Sequence, residues 1–506
     1  MNRFFLTLVS IIISAISLEA QIQPAVSNKY ILTLADVVEI AKQQSPRAIQ
    51  ARHSFRASYF NFISYKAEFL PKLTLTTQPT SWDKSIRTIQ SVNDKGEVTT
   101  REAKGNTFTS TAGLALSQNI GFTGGSISLG SDFSRIQNLL ESNSDIATQY
   151  TTTPIRLTLR QPLNGYNRFR WQKEIEPLRY EEAKQNYIVQ MESVASMAVS
   201  YFFSLAIAQV NLNIAETNLK NTEELYTVTK GRYNLGTVAE DDLLRVELRH
   251  MQSTSRLNEA NIQIESNSNR LRSFLGFRDN VQIELLIDPN IPDFKVKYEE
   301  ALELALTRNP EIISYNRQIL EAKESVALAK SQTGITLELD ASFGTNKTGY
   351  KFNDAYSSPF DDREGISLRI NVPILDWNQS RNRYRNAQSR MEVTEAQVQQ
   401  QETTFKQDVF LEIMSFNMQE DQLRIAAKSD TIANKSYDIS YQRYLAGKGT
   451  VTDLNLADTE KDAAKTNYMR ELNTYWRLYY SVRQLTLFDF LANKPIEEDF
   501  EVLIGY

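Results

Sequence analysis

Tyrosine, glycine and aspartate recur together at two places in this sequence. Arg232-Tyr233-Asn234-Leu235-Gly236 is followed six residues later by Asp242-Leu243, and Arg443-Tyr444-Leu445-Ala446-Gly447 six residues later by Asp453-Leu454. A phenol and a carboxylate can hydrogen-bond and hold charge, but they do not make a nucleophile. Their simplest joint role is structural. The glycine ends one helix in a left-handed conformation, and the aspartate sits in the positively polarised first turn of the next. Glu240-Asp241-Asp242 reads the same way. The remaining composition excludes much. With no cysteine, disulfides, thiolate catalysis, zinc–cysteine sites and iron–sulfur clusters are all ruled out. The two histidines, His53 and His250, read as surface or interhelical residues. No glycine-rich phosphate loop, zinc spacing or triad is visible, so no catalytic residue, cofactor or metal site is assigned. A net charge of -5 argues against a nucleic-acid binder working through a basic surface.

The elements that carry these motifs are written twice. Between the two motifs every matched position differs by 211. The same offset aligns Leu157-Thr158-Leu159-Arg160-Gln161-Pro162-Leu163 with Leu368-Arg369-Ile370-Asn371-Val372-Pro373-Ile374, and Arg170 with Arg381. Nearer the start the offset is 264. It aligns residues 35–41 with 299–305, Ser45-Pro46 with Asn309-Pro310, and Leu73-Thr74-Leu75 with Leu337-Glu338-Leu339. The first copy therefore carries 53 extra residues between about 76 and 154, the difference of the two offsets. The domains follow: repeat 1 over 21–275 with a tip near 231–242, a linker over 276–296, repeat 2 over 297–488 with a tip near 444–453, and a tail over 489–506.

Each copy opens with a short helix that stops before an X-Pro step (32–44; 298–308). A second helix follows with proline in its first turn (46–66; 310–330). Period-two apolar positions then mark strands: Leu73, Leu75, Ile155, Leu157 and Leu159 in copy one, and Leu337, Leu339, Ala341, Phe343, Ile366, Leu368, Ile370 and Val372 in copy two. Polar residues alternate with them. A soluble sandwich and a barrel with a lipid face and a wet lumen both show this pattern.

Very long helices come next (168–230; 379–444), then the glycine turn and a return helix (239–275; 451–485). Only 18 glycines and 13 prolines interrupt 506 residues, about half the usual share of each. In the first long helix Tyr187, Met191, Val194, Ala198, Tyr201, Leu205, Ala208, Leu212, Ala215 and Leu219 step by four and three, a heptad seam. Val398, Phe405, Val409, Phe416 and Leu423 keep a looser version in the second. In the insert, Ala112, Leu114, Leu116, Ile127 and Leu129 alternate around Gly121-Phe122-Thr123-Gly124-Gly125 and predict an extra hairpin. The stretches 94–96 and 138–153 read as mobile loops.

The start, with Arg3, a mostly apolar run over 4–18 and then Glu19-Ala20-Gln21, reads as a signal peptide over 1–20, cleaved after Ala20. A membrane anchor is the competing reading, but the run falls short of the ~20 residues of a span. No later segment has 18 consecutive apolar residues, so membrane residence would require a β-barrel.

With duplicated strands and long helices, Leu70-Pro71 before Leu73-Thr74-Leu75, and the doubled Tyr-x-x-Gly-x5-Asp-Leu tip, the mature chain resembles the TolC-like outer-membrane efflux family. The resemblance implies a mainly α fold with a β part, in two tandem repeats of a strand pair plus a long helical hairpin. Three chains would share one outer-membrane barrel, each giving four of its twelve strands, because four strands alone leave open edges. Their helices would form a periplasmic tunnel. The homotrimer, set in outer-membrane lipid of a Gram-negative bacterium, would meet a periplasmic adaptor and an inner-membrane pump. It would be the passive exit duct of a tripartite efflux pump or type I secretion system. The alternative is a non-conducting, adaptor-like periplasmic coiled-coil scaffold; an enzyme is a distant third.

The resemblance also implies roles. Asp453 falls on the family's constricting aspartate, where three copies round one axis would repel anions and could raise one another's pKa; the competing reading is a helix cap. Leu456 occupies the position of a second aspartate and would gate by dewetting. Asp242 and Tyr444 fall on positions that bond between neighbouring hairpins. The basic partner beyond the tyrosine falls on Gly449, with Lys448 beside it. Leu235, Gly236, Thr237, Ala446, Gly447 and Lys448 would form the adaptor-docking tips. Trp82, Phe108, Tyr350, Tyr356 and Phe360, near strand ends, are candidates for an aromatic girdle.

Overall fold

The computed structural model describes residues 29–92, 98–140, 146–277, 281–288, 292 and 294–505. The signal-peptide segment and the loop at 94–96 lie outside them. The elements repeat the sequence offsets. Helices α1 (Leu34–Gln44) and α2 (Pro46–Ala67) match α5 (Tyr298–Arg308) and α6 (Pro310–Ser331) at 264. Helices α3 (Arg168–Asn234) and α4 (Glu240–Leu275) match α8 (Gln379–Leu445) and α9 (Val451–Thr486) at 211. Paired helices have equal lengths, 67 residues for α3 and α8 and 36 for α4 and α9. Local chemistry sets their starts. Thr33 and Asp36 form a capping box at α1, and Asn309 caps α6 with Pro310 behind it, where the absent N–H costs no bond.

The chain divides into two compact units, and each takes segments from both copies. One consists of Met1–Arg52, Ile188–Ala305 and Val409–Glu498; the other of His53–Tyr187, Leu306–Asp408 and Asp499–Tyr506.

The first unit is helical. Its core holds Phe202, Phe203, Leu205, Leu271, Phe416, Leu423 and Tyr475, all nearly or fully buried. Phe416 packs against Tyr475 and Phe294 with ring centroids 5.5 and 5.4 Å apart. Each such side chain contributes about 1.5–3 kcal/mol of burial. Among the described helices α3 is the one long and apolar enough to cross a bilayer. It owes that to core packing, since Val194, Ala195, Ala198, Val199 and Ala206 are buried here. Fully buried Glu192 is held by Lys42 and by Arg483, whose Nε donates at 2.7 Å. The segment 276–296, expected as a linker, contains a strand: β6 (Gln282–Leu285) runs parallel to β1 (Lys29–Leu32). The tail adds β9 (Phe488–Asp489) and β10 (Lys494–Pro495), paired antiparallel, while its last helix, α10 (Phe500–Ile504), belongs to the second unit.

The second unit contains the main sheet, which holds two strands more than the two strand pairs of the repeats. Six antiparallel strands lie in the order β2 (Lys72–Val92), β3 (Val98–Ile120), β4 (Gly125–Leu140), β5 (Ile146–Pro162), β7 (Thr336–Gly349), β8 (Asp361–Asn371). A short helix, α7 (Phe352–Ala355), lies between the last two. The insert is indeed a hairpin, β3–β4, but it is built into the sheet between β2 and β5. Residues 138–140 and 146–153, expected as mobile loop, are strand. From Thr148 to Thr153 the sequence is threonine, glutamine and tyrosine throughout, so no aliphatic period-two signal exists there.

Candidate functional site

Two features of the chain are suited to function: the helical tips and the faces of the sheet. At each tip the long helix closes in the same backbone motif. The Gly447 N–H donates to the Tyr444 carbonyl and the Lys448 N–H to that of Arg443, both at 2.9 Å. The Gly236 N–H donates to Tyr233 at 2.8 Å and the Thr237 N–H to Arg232 at 3.0 Å. Both glycines have positive φ, 72° and 73°, the left-handed stop that glycine adopts without Cβ cost. Arg232 Nη2 donates to the Leu445 carbonyl at 3.2 Å and ties one tip to the other. Leu235, Gly236, Thr237, Ala446, Gly447 and Lys448 are all exposed.

The two tyrosines of the motif differ. Tyr444 is 6% exposed and packs in a cluster with Leu225, Val246, Val451 and Leu454. Its hydroxyl lies 3.2 Å from that of Thr229 on α3, so it joins the two hairpins of one chain. Tyr233 is 38% exposed. Asp242 is half-buried, and among the described residues no bond links it to Tyr444. Asp453 completes a capping box with Thr450: its N–H donates to Thr450 Oγ1 at 3.1 Å and its carboxylate accepts from the Thr450 N–H at 3.4 Å. The Thr450 hydroxyl, then its N–H, holds the Asp453 carboxyl below its usual range. The carboxylate stays exposed, and Leu456, one turn on, is 61% exposed. Gly449 backs onto the helix end: a Cβ there would meet Tyr444 N at 3.3 Å, so the basic residue expected at this position would be crowded. Lys448 supplies the neighbouring charge. His250 stacks on Tyr226, with centroids 6.2 Å apart, and His53 is exposed.

Next to the tip cluster lies a polar network outside the two tip motifs. Arg249 on α4 donates to Asp458 on α9. Lys461 Nζ donates to Asp458 at 2.8 Å and lies 3.4 Å from Asp462. Asn218 on α3 donates to Asp462 at 2.7 Å, and the Lys461 ammonium sits 3.9 Å over the ring of Tyr437 on α8. All four long helices thus meet in one charged knot. Burial, then the Asp458 charge, pushes the Asp462 carboxyl up. Burial also works against the Lys461 ammonium, but its bond to Asp458 and both carboxylate charges outweigh that and hold it charged. The sequence did carry a signal. Val451, Leu454, Asp458 and Lys461 continue one seam at steps of three and four, as do Val246, Arg249 and Ser253, so charges occupy core positions.

The sheet has two unlike faces. One carries a row across five strands in direct register: Leu73, Leu116, Leu129, Leu157 and Phe343. Leu73, Leu116, Leu129, Leu157 and Phe343 are all exposed. The other face carries ion pairs. Arg156 bonds Asp132, Arg160 bonds Asp340 at 3.0 Å, and Arg369 bonds Glu338 at 3.1 Å. Among the aromatic candidates, Trp82 pairs across the strands with Phe108. Tyr356 stacks on Phe133 at 6.2 Å and meets Phe352 at a tilt, with centroids 5.1 Å apart. Tyr350 is exposed and Phe360 half-buried. A water-excluding face backed by a charged one suits the boundary between lipid and an aqueous lumen.

Comparison with known proteins agrees with this geometry. Residues 124–277 and 301–485 match the family described as Outer membrane efflux protein. The chain belongs to this family, whose members sit in the Gram-negative outer membrane with a helical part in the periplasm. A curated relative, Nodulation protein T of Rhizobium leguminosarum bv. trifolii, is 22% identical over 287 residues, 56% of this chain and 60% of its own length. The match therefore spans less than two thirds of that relative. Among solved structures, the CmeC outer membrane channel of Campylobacter jejuni is 15% identical at TM-score 0.65, over 93% of this chain and 89% of its own. The outer membrane protein VceC of Vibrio cholerae is 12% identical at 0.61, over 92% and 97%. The open-state MtrE outer membrane channel of Neisseria gonorrhoeae is 14% identical at 0.60, over 92% and 91%. At such identities these likenesses establish the fold, that of TolC-like channels.

Proposed function

We propose that three copies of this chain form a passive outer-membrane export duct, the exit of a tripartite efflux pump or a type I secretion system. Small molecules or polypeptides would leave through it. The carrying observation is the sheet, whose exposed apolar row backs onto a face of ion pairs. A water-soluble scaffold would expose that row to water, at about 25 cal/mol for each Å². In this reading Asp453 and Leu456, exposed at the start of α9, face the closed end of the tunnel and gate it. Tyr444 and Asp242 hold the tips, Tyr444 through Thr229. The exposed residues 235–237 and 446–448 receive a periplasmic adaptor, with an inner-membrane pump behind it. Nothing in this role makes or breaks a bond.

The test is where the protein goes and how it assembles. The mature chain is expected in outer-membrane fractions, extracted only by detergent, as a trimer that dissociates on heating. A monomer that stays soluble without detergent would overturn the duct.

A further inference from the structure

We infer that the barrel of this protein has eighteen strands, six from each of three copies, and that the edge strand β8 of one copy pairs with β2 of the next. The inference rests on the trimeric duct proposed above. Four observations carry it.

First, the insert strands are integral to the sheet. By repeat equivalence β2 corresponds to β7 and β5 to β8, and in copy two those strands pair directly. Had copy one kept that arrangement, Thr74 would oppose Thr158, as Glu338 opposes Arg369. Instead Thr158 opposes Ser128 of β4, and Thr74 opposes Ala115 of β3. Second, the insert continues both faces in register. Leu116 and Leu129 extend the apolar row between Leu73 and Leu157, and Asp132 of β4 joins Arg156 on the polar face. A flap outside a barrel would need neither.

Third, the two outer edges match. Six antiparallel strands are an even number, so β8 and the next copy's β2 run antiparallel and can continue the ladder. Both edges expose apolar side chains on the lipid face, Leu73 and Leu75 on one and Ile366, Leu368 and Ile370 on the other. Unpaired, such edges invite association. Fourth, the register gives a barrel geometry. A line drawn across the strands from Lys72 passes Ser117, Ser128, Thr158 and Ser342 and reaches Gly365, six residues short of Asn371. Asn371 already opposes Thr336, the repeat equivalent of Lys72. Opposing Asn371 to the next copy's Lys72 in the same way staggers each chain by six residues. At about 3.3 Å per residue and about 4.8 Å per strand this is a tilt of about 35°, within the range of closed barrels. Eighteen such strands enclose a lumen about 34 Å across between backbones, against about 22 Å for twelve. That is porin-like in width and wet, which leaves the helical tips as the narrow point.

The chain has no cysteine, so introduced pairs report without background. In the full-length trimer extracted from outer membranes, Ser128→Cys with Thr158→Cys is expected to cross-link within the chain. Thr74→Cys with Thr158→Cys should stay reduced. Thr76→Cys with Ser367→Cys should link chains into a covalent ladder ending at three. Cross-linking of Thr74→Cys to Thr158→Cys in a protein that is still trimeric would overturn the eighteen strands and leave the duct standing. A protein that is not trimeric would instead remove the duct reading beneath it. Strand counting by electron cryo-microscopy of the unmodified trimer in lipid discs checks the cross-links directly: eighteen supports the inference and twelve refutes it.

Discussion

The two helical tips share a backbone and differ in how they are fastened. Both end in a left-handed glycine with the same pair of carbonyl bonds. Beyond the glycine, the second tip has a Thr450–Asp453 capping box and a buried tyrosine. The first starts its return helix at Ala239, with no side-chain cap, and leaves Tyr233 and Leu235 exposed. Duplication therefore kept the turn that reverses the chain and let the fastening diverge. The second tip is built to hold, and the first offers an open apolar surface with three acidic residues, Glu240, Asp241 and Asp242, behind it.

The largest effect is expected where the two hairpins are joined. Arg249→Ala leaves buried Asp458 with Lys461 alone. Removing one partner of a buried pair costs about 3–5 kcal/mol, so amide exchange along α4 and α9 should quicken at least about a hundredfold. Unchanged exchange would mean that the knot does not hold the hairpins together. Next come the turns they share: Gly236→Ala and Gly447→Ala should each cost about 1–2 kcal/mol by forcing a Cβ into the left-handed region. Similar losses in thermal unfolding would uphold the common backbone, and a loss at one tip alone would break it.

The caps sharpen the difference with opposite signs. Thr450→Ala should cost about 1 kcal/mol, whereas Ala239→Ser should gain up to about that much by supplying the missing cap. The smallest effect is in acid. The folded Asp453 carboxyl lies below its usual range, so the unfolded chain takes up its proton first as pH falls. The contribution of the capping box is therefore present above about pH 3.9 and is lost as pH drops through the folded value. Exchange protection at the start of α9 should fade there, and Asp453→Asn should remove that acid dependence. The start of α4, with no box, gives the control.

The helices were legible because their patterns are long and repeated. The heptad seam predicted Tyr187, Met191, Val194 and Ala198, and each is buried. The strands were legible only where one face is aliphatic, as at Leu157 and Leu159. Residues 146–153 were missed because a strand rich in threonine advertises itself by β-branching rather than by alternation. At the tips the motif spacing marks where the helices break, and the Thr450–Asp453 box is local to the chain, but the Thr229 partner of Tyr444 and the Arg249–Asp458 pair had no such signal. Thr229 and Asp458 lie more than 200 residues from Tyr444 and Arg249 respectively, and a pairing across two copies has no local signature. The hidden strands and the hidden partners share this cause: both are set by contacts between segments far apart in the chain.

The central claim, a closed duct gated at the tips, is tested most directly by conductance of the purified mature protein in planar bilayers, beside Asp453→Ala, Leu456→Ala and Tyr444→Phe. We expect small, cation-leaning channels whose conductance rises severalfold when Asp453 or Leu456 is truncated, and less for Tyr444→Phe, which loses only its bond to Thr229. No channels from a trimer that inserts into the bilayer, or channels that all three substitutions leave unchanged, would contradict it.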